Sequence, residues 1–232
     1  MKPLAIITGV GPGTGAALSR RFHEGGYRVA MLARDGERLA KLQADLPDAI
    51  AVACDVADPV ALNAALAQIE AEAGAPKVVI HNAVGGAFGS FQEIEPAVLE
   101  RNFQVNVMAL LHLARSVAPK MVENGGGALI VTGNTSALRG KARFAGFAPT
   151  KAAQRILAES IAREMGPKGL HVAYLMIDAV IDVPWTRERY KDAADDFFIR
   201  PAAIADEAWH IAHQDRSAWS FLTEVRPFAE TW

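Results

Sequence analysis

The sequence has few of the features that mark specialised classes of protein. It contains one cysteine, Cys54, so no disulfide can form within the chain, as expected in the reducing cytoplasm. Its 24 basic and 26 acidic residues give a net charge of −2, which argues against the clustered basic surface of nucleic-acid-binding proteins. No apolar run approaches the ~20 residues of a membrane-spanning helix. We therefore expect a cytoplasmic protein whose function involves neither nucleic acid nor membrane.

Short apolar runs alternate with helix-like stretches along the whole chain, of which 51% is hydrophobic. The runs are apolar at nearly every position, which is typical of parallel strands covered by helices on both faces. The predicted strands are 4–8, 28–33, 50–54, 78–81, 128–132, 171–176 and 221–225, and the predicted helices are 13–24, 37–45, 59–73, 96–122 and 148–165. This order predicts βαβ units in a doubly wound, three-layer α/β fold of the Rossmann type.

We expect one domain over residues 1–232, because no linker or charge block divides the chain. Residues 183–200 break the alternation with charged and aromatic side chains, and we interpret them as a mobile lid over a substrate pocket. Trp185, Phe197 and Phe198 are candidates either for an apolar lining of that pocket or for packing within the lid.

The first predicted strand ends in a glycine-rich turn that opens the first helix. Glycine permits a tight turn and a close approach of the backbone, so that N–H groups at the helix N-terminus can bind a pyrophosphate. A glycine cluster alone is a weak signal, but its place between a strand and a helix makes this one specific. The turn therefore predicts a dinucleotide-binding site, and its candidate binding residues are Gly9, Pro12, Gly13, Thr14 and Gly15.

The end of the second predicted strand indicates which dinucleotide binds. A carboxylate here would hydrogen-bond the ribose 2′-hydroxyl of NAD(H) and repel the 2′-phosphate of NADP(H). The strand ends instead in Ala33, and Arg34 follows with a guanidinium group suited to a phosphate. We predict NADP(H) rather than NAD(H); the alternative is that Arg34 is an ordinary solvated residue.

Further motifs follow the glycine turn in a characteristic order. They are Asp55-Val56 after the third strand, His81-Asn82-Ala83-Val84-Gly85 after the fourth, Asn106 within a helix, Lys151 in Lys-Ala-Ala, and Pro167-Lys168-Gly169-Leu170 before a strand. With the spacing Thr8-Gly9-x-x-x-Gly13-x-Gly15, this set resembles the short-chain dehydrogenase/reductase family over the whole chain. The resemblance implies a seven-stranded sheet, a homodimer or homotetramer, and hydride transfer between a nicotinamide and a carbonyl or alcohol substrate.

The resemblance also implies where the cofactor contacts the chain after the glycine turn. It places Asp55 and Val56 near the adenine, Asn82, Ala83 and Val84 near the ribose, Ile181 at the carboxamide, and Lys151 at the nicotinamide ribose.

The catalytic residues of that family are only partly present. In the family a tyrosine transfers the proton, a lysine four residues later lowers its pKa, and a serine binds the substrate oxygen. Lys151 is present, but Phe147 stands four residues before it and has no proton to donate. Asn134 occupies the serine position and can hydrogen-bond a carbonyl. Asn106 matches the family's helical asparagine, either as a catalytic residue or as a bridge, through water, across an irregular part of the helix.

Several other residues are candidates for the missing hydroxyl or proton donor. Thr135 and Ser136 adjoin the serine position, so a small loop shift would bring either hydroxyl into the site. Tyr174 is expected in the core, whereas Tyr190 in the lid would reach the pocket as a substitute proton donor. Asp178 follows the sixth strand, either as a general base or as the partner of a nearby cation.

These features leave three hypotheses for function. The first is an NADP(H)-dependent oxidoreductase whose proton comes from water, Lys151 or the substrate itself. The second is a catalytically weak or inactive NADP(H)-binding protein that acts as a sensor or oligomer partner, and the third is a non-redox enzyme on the same fold. No metal is expected, because His210 and His213 share a helical face without a third ligand nearby.

Overall fold

The computed structural model describes residues 2–230 and contains a seven-stranded parallel sheet. The strands of this sheet are β1 (Leu4–Thr8), β2 (Arg28–Ala33), β3 (Ile50–Ala53), β4 (Val78–His81), β5 (Gly127–Asn134), β6 (Leu170–Ile177) and β9 (Leu222–Val225). Their order is β3-β2-β1-β4-β5-β6-β9, and all neighbours run parallel. Two short strands, β7 (Val180–Ile181) and β8 (Phe198–Ile199), pair with each other apart from it. The predicted Rossmann-type sheet is confirmed.

Helices connect the strands, and two of these helices have an N-terminal side-chain cap that accepts backbone hydrogen bonds. The helices are α1 (Thr14–Glu24), α2 (Gly36–Ala44), α3 (Pro59–Ala73), α4 (Pro96–Phe103), α5 (Ala109–Glu123), α6 (Ala148–Met165), α7 (Pro184–Arg189) and α8 (Pro201–Ala212). The carboxylate of Asp35 caps α2, and that of Asp58 caps α3. Each cap satisfies amide groups that the first helical turn leaves without partners.

Both faces of the central part of the sheet are buried, which explains why most positions of its inner strands are apolar. In β1, Ala5 and Ile7 belong to the cluster that includes α1, α2 and α8, whereas Leu4 and Ile6 belong to the cluster that includes α3 and α5. Alternate residues of a strand point to opposite faces, so a strand between two helical layers needs apolar side chains at every position. The three-layer arrangement follows from this burial.

The prediction of one continuous helix over residues 96–122 was wrong. A π-helical turn, Gln104–Met108, separates α4 from α5. Asn106 lies within this turn and is fully buried. Such turns insert an extra residue into the helical hydrogen-bond pattern and often mark functional sites. Apolar periodicity carries no signal for this insertion, because the residues on both sides of it remain helical.

The carboxyl ends of the parallel strands meet at one edge of the sheet. The chain leaves β1 for β2 and β3 on one side, then returns to β4 on the other side of β1. Ligands of open α/β sheets bind in the crevice that such a reversal of strand order creates. The expected site therefore lies beyond the carboxyl ends of β1 and β4.

No helix within residues 2–230 has the length and apolar character needed to cross a membrane.

Gly9 allows the turn after β1 to pass close to β4. Its φ is +73°, and a Cβ atom there would lie 2.4 Å from the Cα atom of Ala83. Its backbone N–H donates to the carbonyl of Leu32 at 2.8 Å, which also ties the turn to β2. Only glycine combines this left-handed conformation with so close a contact.

Replacing Gly9 with alanine should therefore destabilise the protein, by about 2–4 kcal/mol, since backbone strain and a steric clash with backbone add. The matched control is Gly11→Ala in the same turn, where a Cβ atom meets no heavy atom within 4 Å. Urea unfolding of the two variants tests this. Equal unfolding midpoints for them would contradict the steric account.

Candidate active site

A cleft of about 930 Å³ opens at the carboxyl edge of the sheet between β1 and β4. Of the predicted cofactor-binding residues, those that line the cleft are Gly9, Pro12, Gly13, Thr14, Gly15, Arg34, Asp55, Val56, Asn82, Ala83, Val84 and Ile181. Lys151 does not line it, because its side chain is buried behind the cleft wall. The predicted residues thus converge on one cavity although they come from five separate segments of the chain.

The N-terminus of α1 faces this cleft without a side-chain cap. Gly13 precedes the helix and offers no capping group, and the first turn contains no acidic residue. The hydroxyl of Thr14 is buried and has no hydrogen-bond partner within residues 2–230. Uncapped amide groups and the positive end of the helix dipole favour an anion at this position.

Basic side chains gather at the end of the cleft next to β2. Arg34 is exposed there and forms no ion pair with another described residue. The neighbouring Asp35 is engaged as the cap of α2 and pairs with Arg38 at 3.0 Å. The charge of Asp35 is therefore balanced by Arg38, and the guanidinium of Arg34 remains available to a ligand in the cleft. Arg38, one helical turn after Arg34, was missed from the sequence, although its spacing places it on the same side.

Asp55 follows β3, the neighbour of β2, and pairs with Arg101, a cleft residue on α4 that sequence reasoning also missed. Partial burial is the largest single influence and acts to raise the pKa of Asp55, but the hydrogen bonds from Arg101 and from the N–H of Ala57, together with the charge of Arg101, outweigh it and hold that pKa below its usual value. The charge of Arg34 acts in the same direction. No short motif links Arg101 to Asp55 in the sequence, because 46 residues separate them.

Asn82 joins the glycine turn to the centre of the sheet. Its amide nitrogen donates to the carbonyl of Gly9 at 2.9 Å, and its amide oxygen accepts from the hydroxyl of Thr132 at 3.1 Å. Gly9 follows β1, Asn82 follows β4 and Thr132 lies within β5, so the side chain of Asn82 links the three strands. The motif residue is thus a structural link as well as part of the cleft wall.

Lys151 lies behind this wall and is 3% exposed. Its Nζ atom donates to the carbonyl of Thr132 at 3.2 Å and to the side-chain oxygen of Gln154 at 2.8 Å. Burial lowers the pKa of Lys151 to about 7, since the charged form loses its hydration and no carboxylate compensates. Gln154 is fully buried and was not singled out in the sequence.

His81, at the end of β4, is the nearby titratable group. Its Nδ1 atom lies 3.0 Å from the hydroxyl of Thr8. Burial and the charge of Lys151 lower the pKa of His81 to about 4. The ring is therefore neutral near pH 7, and His81 adds no positive charge beside Lys151.

Phe147 packs into an aromatic cluster beside the lysine. Its ring centroid lies 5.6 Å from that of Phe88, which lies 5.0 Å from that of Phe144. The Nζ atom of Lys151 is 5.9 Å from the centroid of Phe147, whose side chain also contacts Gly86. The residue one helical turn before the lysine thus presents an apolar ring toward Lys151.

Asn106 uses its side chain to hold the π-turn against two other segments. Its oxygen accepts from the N–H of Gly85 at 2.9 Å, and its nitrogen donates to the carbonyl of Gly85 and the hydroxyl of Thr150, both at 2.8 Å. The backbone carbonyl of Asn106 accepts from Gln154 at 2.9 Å. The predicted irregular helix is present, and direct protein contacts bridge it.

Asn134 and its neighbours are held by hydrogen bonds at the ends of β5 and β6. The amide of Asn134 donates to the carbonyl of Ile177 at 3.1 Å and accepts from the N–H of Ser136 at 2.8 Å. The hydroxyl of Thr135 donates to Asp178 at 2.7 Å, and Arg139 lies 4.0 Å from the same carboxylate. Asp178 therefore has the cation partner that the sequence left as an alternative, and the Thr135 hydroxyl is engaged.

Residues 183–200 contain α7 and end in β8. Arg187 holds the segment together by pairing with Asp182 and Asp195 at 2.7 and 2.6 Å. Trp185 lines the cleft and is 66% exposed. The aromatic rings of the segment otherwise pack on one another: Tyr190 on Phe197, and Phe197 on Phe198.

Other residues considered from the sequence are buried or hydrogen-bonded within the fold. Tyr174 is fully buried in the core, and burial raises its pKa. Cys54 is buried, and burial raises the pKa of its thiol to about 11. His213 bonds the Tyr27 hydroxyl at 3.0 Å, and the described part of the chain contains no group of three or more metal-binding side chains.

The buried lysine makes stability depend on pH. Because the pKa of Lys151 is lower in the folded than in the unfolded chain, the unfolded state binds more protons above about pH 7, and stability rises with pH there. We expect the free energy of unfolding to gain up to about 1.4 kcal/mol per pH unit between about pH 7 and 9 from this group. Lys151→Met should lose this gain.

Urea unfolding at several pH values measures the effect as the difference between the two proteins. Both keep Cys54, whose raised pKa acts oppositely at high pH, so the difference isolates the lysine. Parallel pH profiles for wild type and variant would contradict an uncompensated buried amine.

Comparison with known proteins identifies the relatives of this chain. Residues 3–193 match the family model for short chain dehydrogenase. The D-erythrulose reductase of Gallus gallus is 30% identical over 169 residues, which cover 72% of this chain and 67% of that protein. A short-chain dehydrogenase structure from Rhodopseudomonas palustris superposes with a TM-score of 0.83 at 31% identity, covering 97% of this chain and 99% of that one. A metagenomic short-chain oxidoreductase in complex with NADP gives 0.85 at 27% identity, with 97% of each chain covered.

Proposed function

The chain belongs to the short-chain dehydrogenase family, and we propose that it is an NADP(H)-dependent oxidoreductase whose proton route does not use the usual tyrosine. The observation that carries the proposal is the cleft, where twelve of the predicted cofactor residues meet around an uncapped helix N-terminus. The substrate is a carbonyl or an alcohol, the class on which hydride transfer by a nicotinamide operates.

The lining of the cleft fits a dinucleotide. The uncapped amides of α1 and the unpartnered hydroxyl of Thr14 suit the negatively charged pyrophosphate. Asp55 and Val56 would hold the adenine, Asn82, Ala83 and Val84 the ribose, and the backbone of Ile181 the carboxamide. Lys151 would reach the nicotinamide ribose from behind the wall. When bound, the cofactor supplies or accepts the hydride.

The basic end of the cleft favours NADP(H) over NAD(H). The guanidinium of Arg34 lies at the cleft without an ion pair to any residue within 2–230, and the acidic side chain next to it, Asp35, is already paired with Arg38. A 2′-phosphate would gain a charge-assisted hydrogen bond from Arg34 that a 2′-hydroxyl would not match. The NADP complex of the metagenomic relative supports the same choice.

Arg34→Ala should weaken NADPH binding about 10- to 100-fold, the loss expected for a hydrogen bond to a charged group, and leave NADH binding nearly unchanged. The control is Arg163→Ala, which removes an arginine with a 78% exposed side chain on α6. Fluorescence titration of both cofactors measures the affinities. Equal affinity of the wild-type protein for NADPH and NADH would overturn the preference.

The chemistry must manage without a phenolic proton donor at position 147. Phe147 excludes water from one side of Lys151 and contributes no proton. Lys151 itself changes protonation near neutral pH, which is where a general acid–base group is most effective. We propose Lys151, through bound water or the substrate's own groups, as the residue that controls the proton. Asn134 would orient the substrate oxygen, and Asn106 holds the π-turn in place.

The segment 183–200 would act as a substrate lid within the single domain. Val183 packs close to the glycine turn, where a Cβ atom on Gly13 would lie 2.7 Å from its side chain. Trp185 extends over the cleft and is largely exposed, so its ring is available to an apolar part of the substrate. Phe197 and Phe198 would stabilise the lid itself.

The double variant Phe147→Tyr with Asn134→Ser should raise turnover about 100- to 10,000-fold, the usual contribution of a positioned acid–base group. Oxidation of NADPH in the presence of a panel of carbonyl compounds, followed by absorbance, measures it. The control is Phe144→Tyr, which adds a hydroxyl to the same aromatic cluster but not one turn before Lys151. No gain in the double variant would mean that the pocket serves another reaction.

A binding protein without turnover is the second candidate function, and Phe147 is the observation that favours it. Both amide ends of Asn134 are occupied by backbone groups, which further reduces the polar groups ready for substrate. The carbonyl panel separates the two functions. NADPH binding without any carbonyl-dependent oxidation would favour the binding protein.

A further inference from the structure

Gln154 connects the buried lysine to the π-turn. It follows Lys151 by three residues on α6, so the two side chains are neighbours on one helical face. Its oxygen accepts from Lys151 Nζ at 2.8 Å, and its nitrogen donates to the backbone carbonyl of Asn106 at 2.9 Å. Both ends of the amide therefore have partners, although the side chain is fully buried.

These contacts fix the orientation of the Gln154 amide. The carbonyl of Asn106 can only accept a hydrogen bond, so the NH2 group must face the π-turn and the oxygen must face the lysine. A glutamine buried without partners would lower stability, because its polar groups would lose their hydration. In this orientation the Asn106 carbonyl, the Gln154 amide and the Lys151 amine all form hydrogen bonds, and Lys151 Nζ is held in one position.

The number of donors on Lys151 then limits what its protonation can change. A protonated amine has three N–H donors, and Thr132 and Gln154 take two of them. When the amine loses its proton, these two bonds can persist and only the third position changes from donor to acceptor. We propose that Gln154 is a positioning residue that fixes Lys151 so that one position on its amine can exchange a proton.

The groups that face Lys151 carry no charge near neutral pH, so Gln154 is the contact through which a substitution can change the protonation of the lysine. From β4 the facing titratable group is His81, which is neutral above about pH 4. From β5 and the π-turn the facing groups are the uncharged Thr132 and Asn106, and along α6 the ring of Phe147 is apolar. A change of charge or acceptor at position 154 should therefore act directly on the protonation of the lysine.

Two near-isosteric variants test this role without requiring cofactor. Gln154→Glu places a carboxylate against the amine and should move the titration midpoint of Lys151 up by about one pH unit or more. Gln154→Met removes the acceptor and should move it down. Nuclear magnetic resonance of protein labelled with carbon-13 at the lysine ε-carbons reports the midpoint, with Lys151→Met assigning the signal.

The control is Gln43→Met, since the amide of Gln43 also donates to a backbone carbonyl, at 2.7 Å to Ala49, but lies in α2. It should leave the Lys151 midpoint unchanged. If Gln154→Met does not fold, Gln154→Glu still decides the question. A midpoint in Gln154→Glu equal to that of the wild type would show that Gln154 only fills space, and would overturn the proposal.

A second measurement connects the positioning of Lys151 by Gln154 to the proposed function. Any effect of Gln154 on catalysis rests on that function. If Lys151 contacts the bound cofactor, the affinity for anionic NADPH should fall several-fold as pH rises through the lysine midpoint, and the fall should follow the midpoint in each variant. Shifted midpoints in a protein that does not bind NADPH would leave the positioning of Lys151 intact and reject the cofactor site.

Discussion

The hydrogen bonds of Asn82 are the link on which the rest of the site depends. This one side chain joins the carbonyl of Gly9, after β1, to the hydroxyl of Thr132 on β5. The carbonyl of Thr132 in turn accepts a hydrogen bond from Lys151. Lys151 also donates to Gln154, and Gln154 donates to the carbonyl of Asn106 in the π-turn. Because parallel strands end at one edge, these side chains can meet although they are far apart in sequence. The glycine turn and the buried lysine thus form parts of one rigid network.

The fold was predictable because its signals are local and repeated. Uniformly apolar runs and the glycine turn gave the strands of the main sheet to within two residues, including β1 and β4 without error. Hydrophobic periodicity did not predict the π-turn at Asn106, and only the family resemblance suggested an irregular helix there, since the turn depends on contacts with Gly85, Thr150 and Gln154 that tertiary packing brings together. Arg101 was not predicted either, because its partner lies 46 residues away.

The site combines a cleft lined by the predicted cofactor residues with a phenylalanine, Phe147, beside the buried lysine. The order of the motifs predicted the cleft residues, because glycine and asparagine at fixed positions after the strands indicate the backbone geometry of the turns. It could not locate Gln154, since a polar residue on a helix is ordinarily solvated and only burial reveals its role. With Phe147 beside it, Lys151 is an amine without a carboxylate or phenol partner, and its burial brings its pKa to about 7. In the proposed function, proton control therefore depends on the solvation of Lys151 rather than on a neighbouring acid.

The most direct test of this account is a crystal structure of the protein with bound NADPH. We expect the pyrophosphate at the N-terminus of α1, the 2′-phosphate within hydrogen-bond distance of Arg34, and the nicotinamide ribose within reach of Lys151, with Gln154 still bonded to Asn106. A 2′-phosphate away from Arg34, or a nicotinamide ribose out of reach of Lys151, would contradict it.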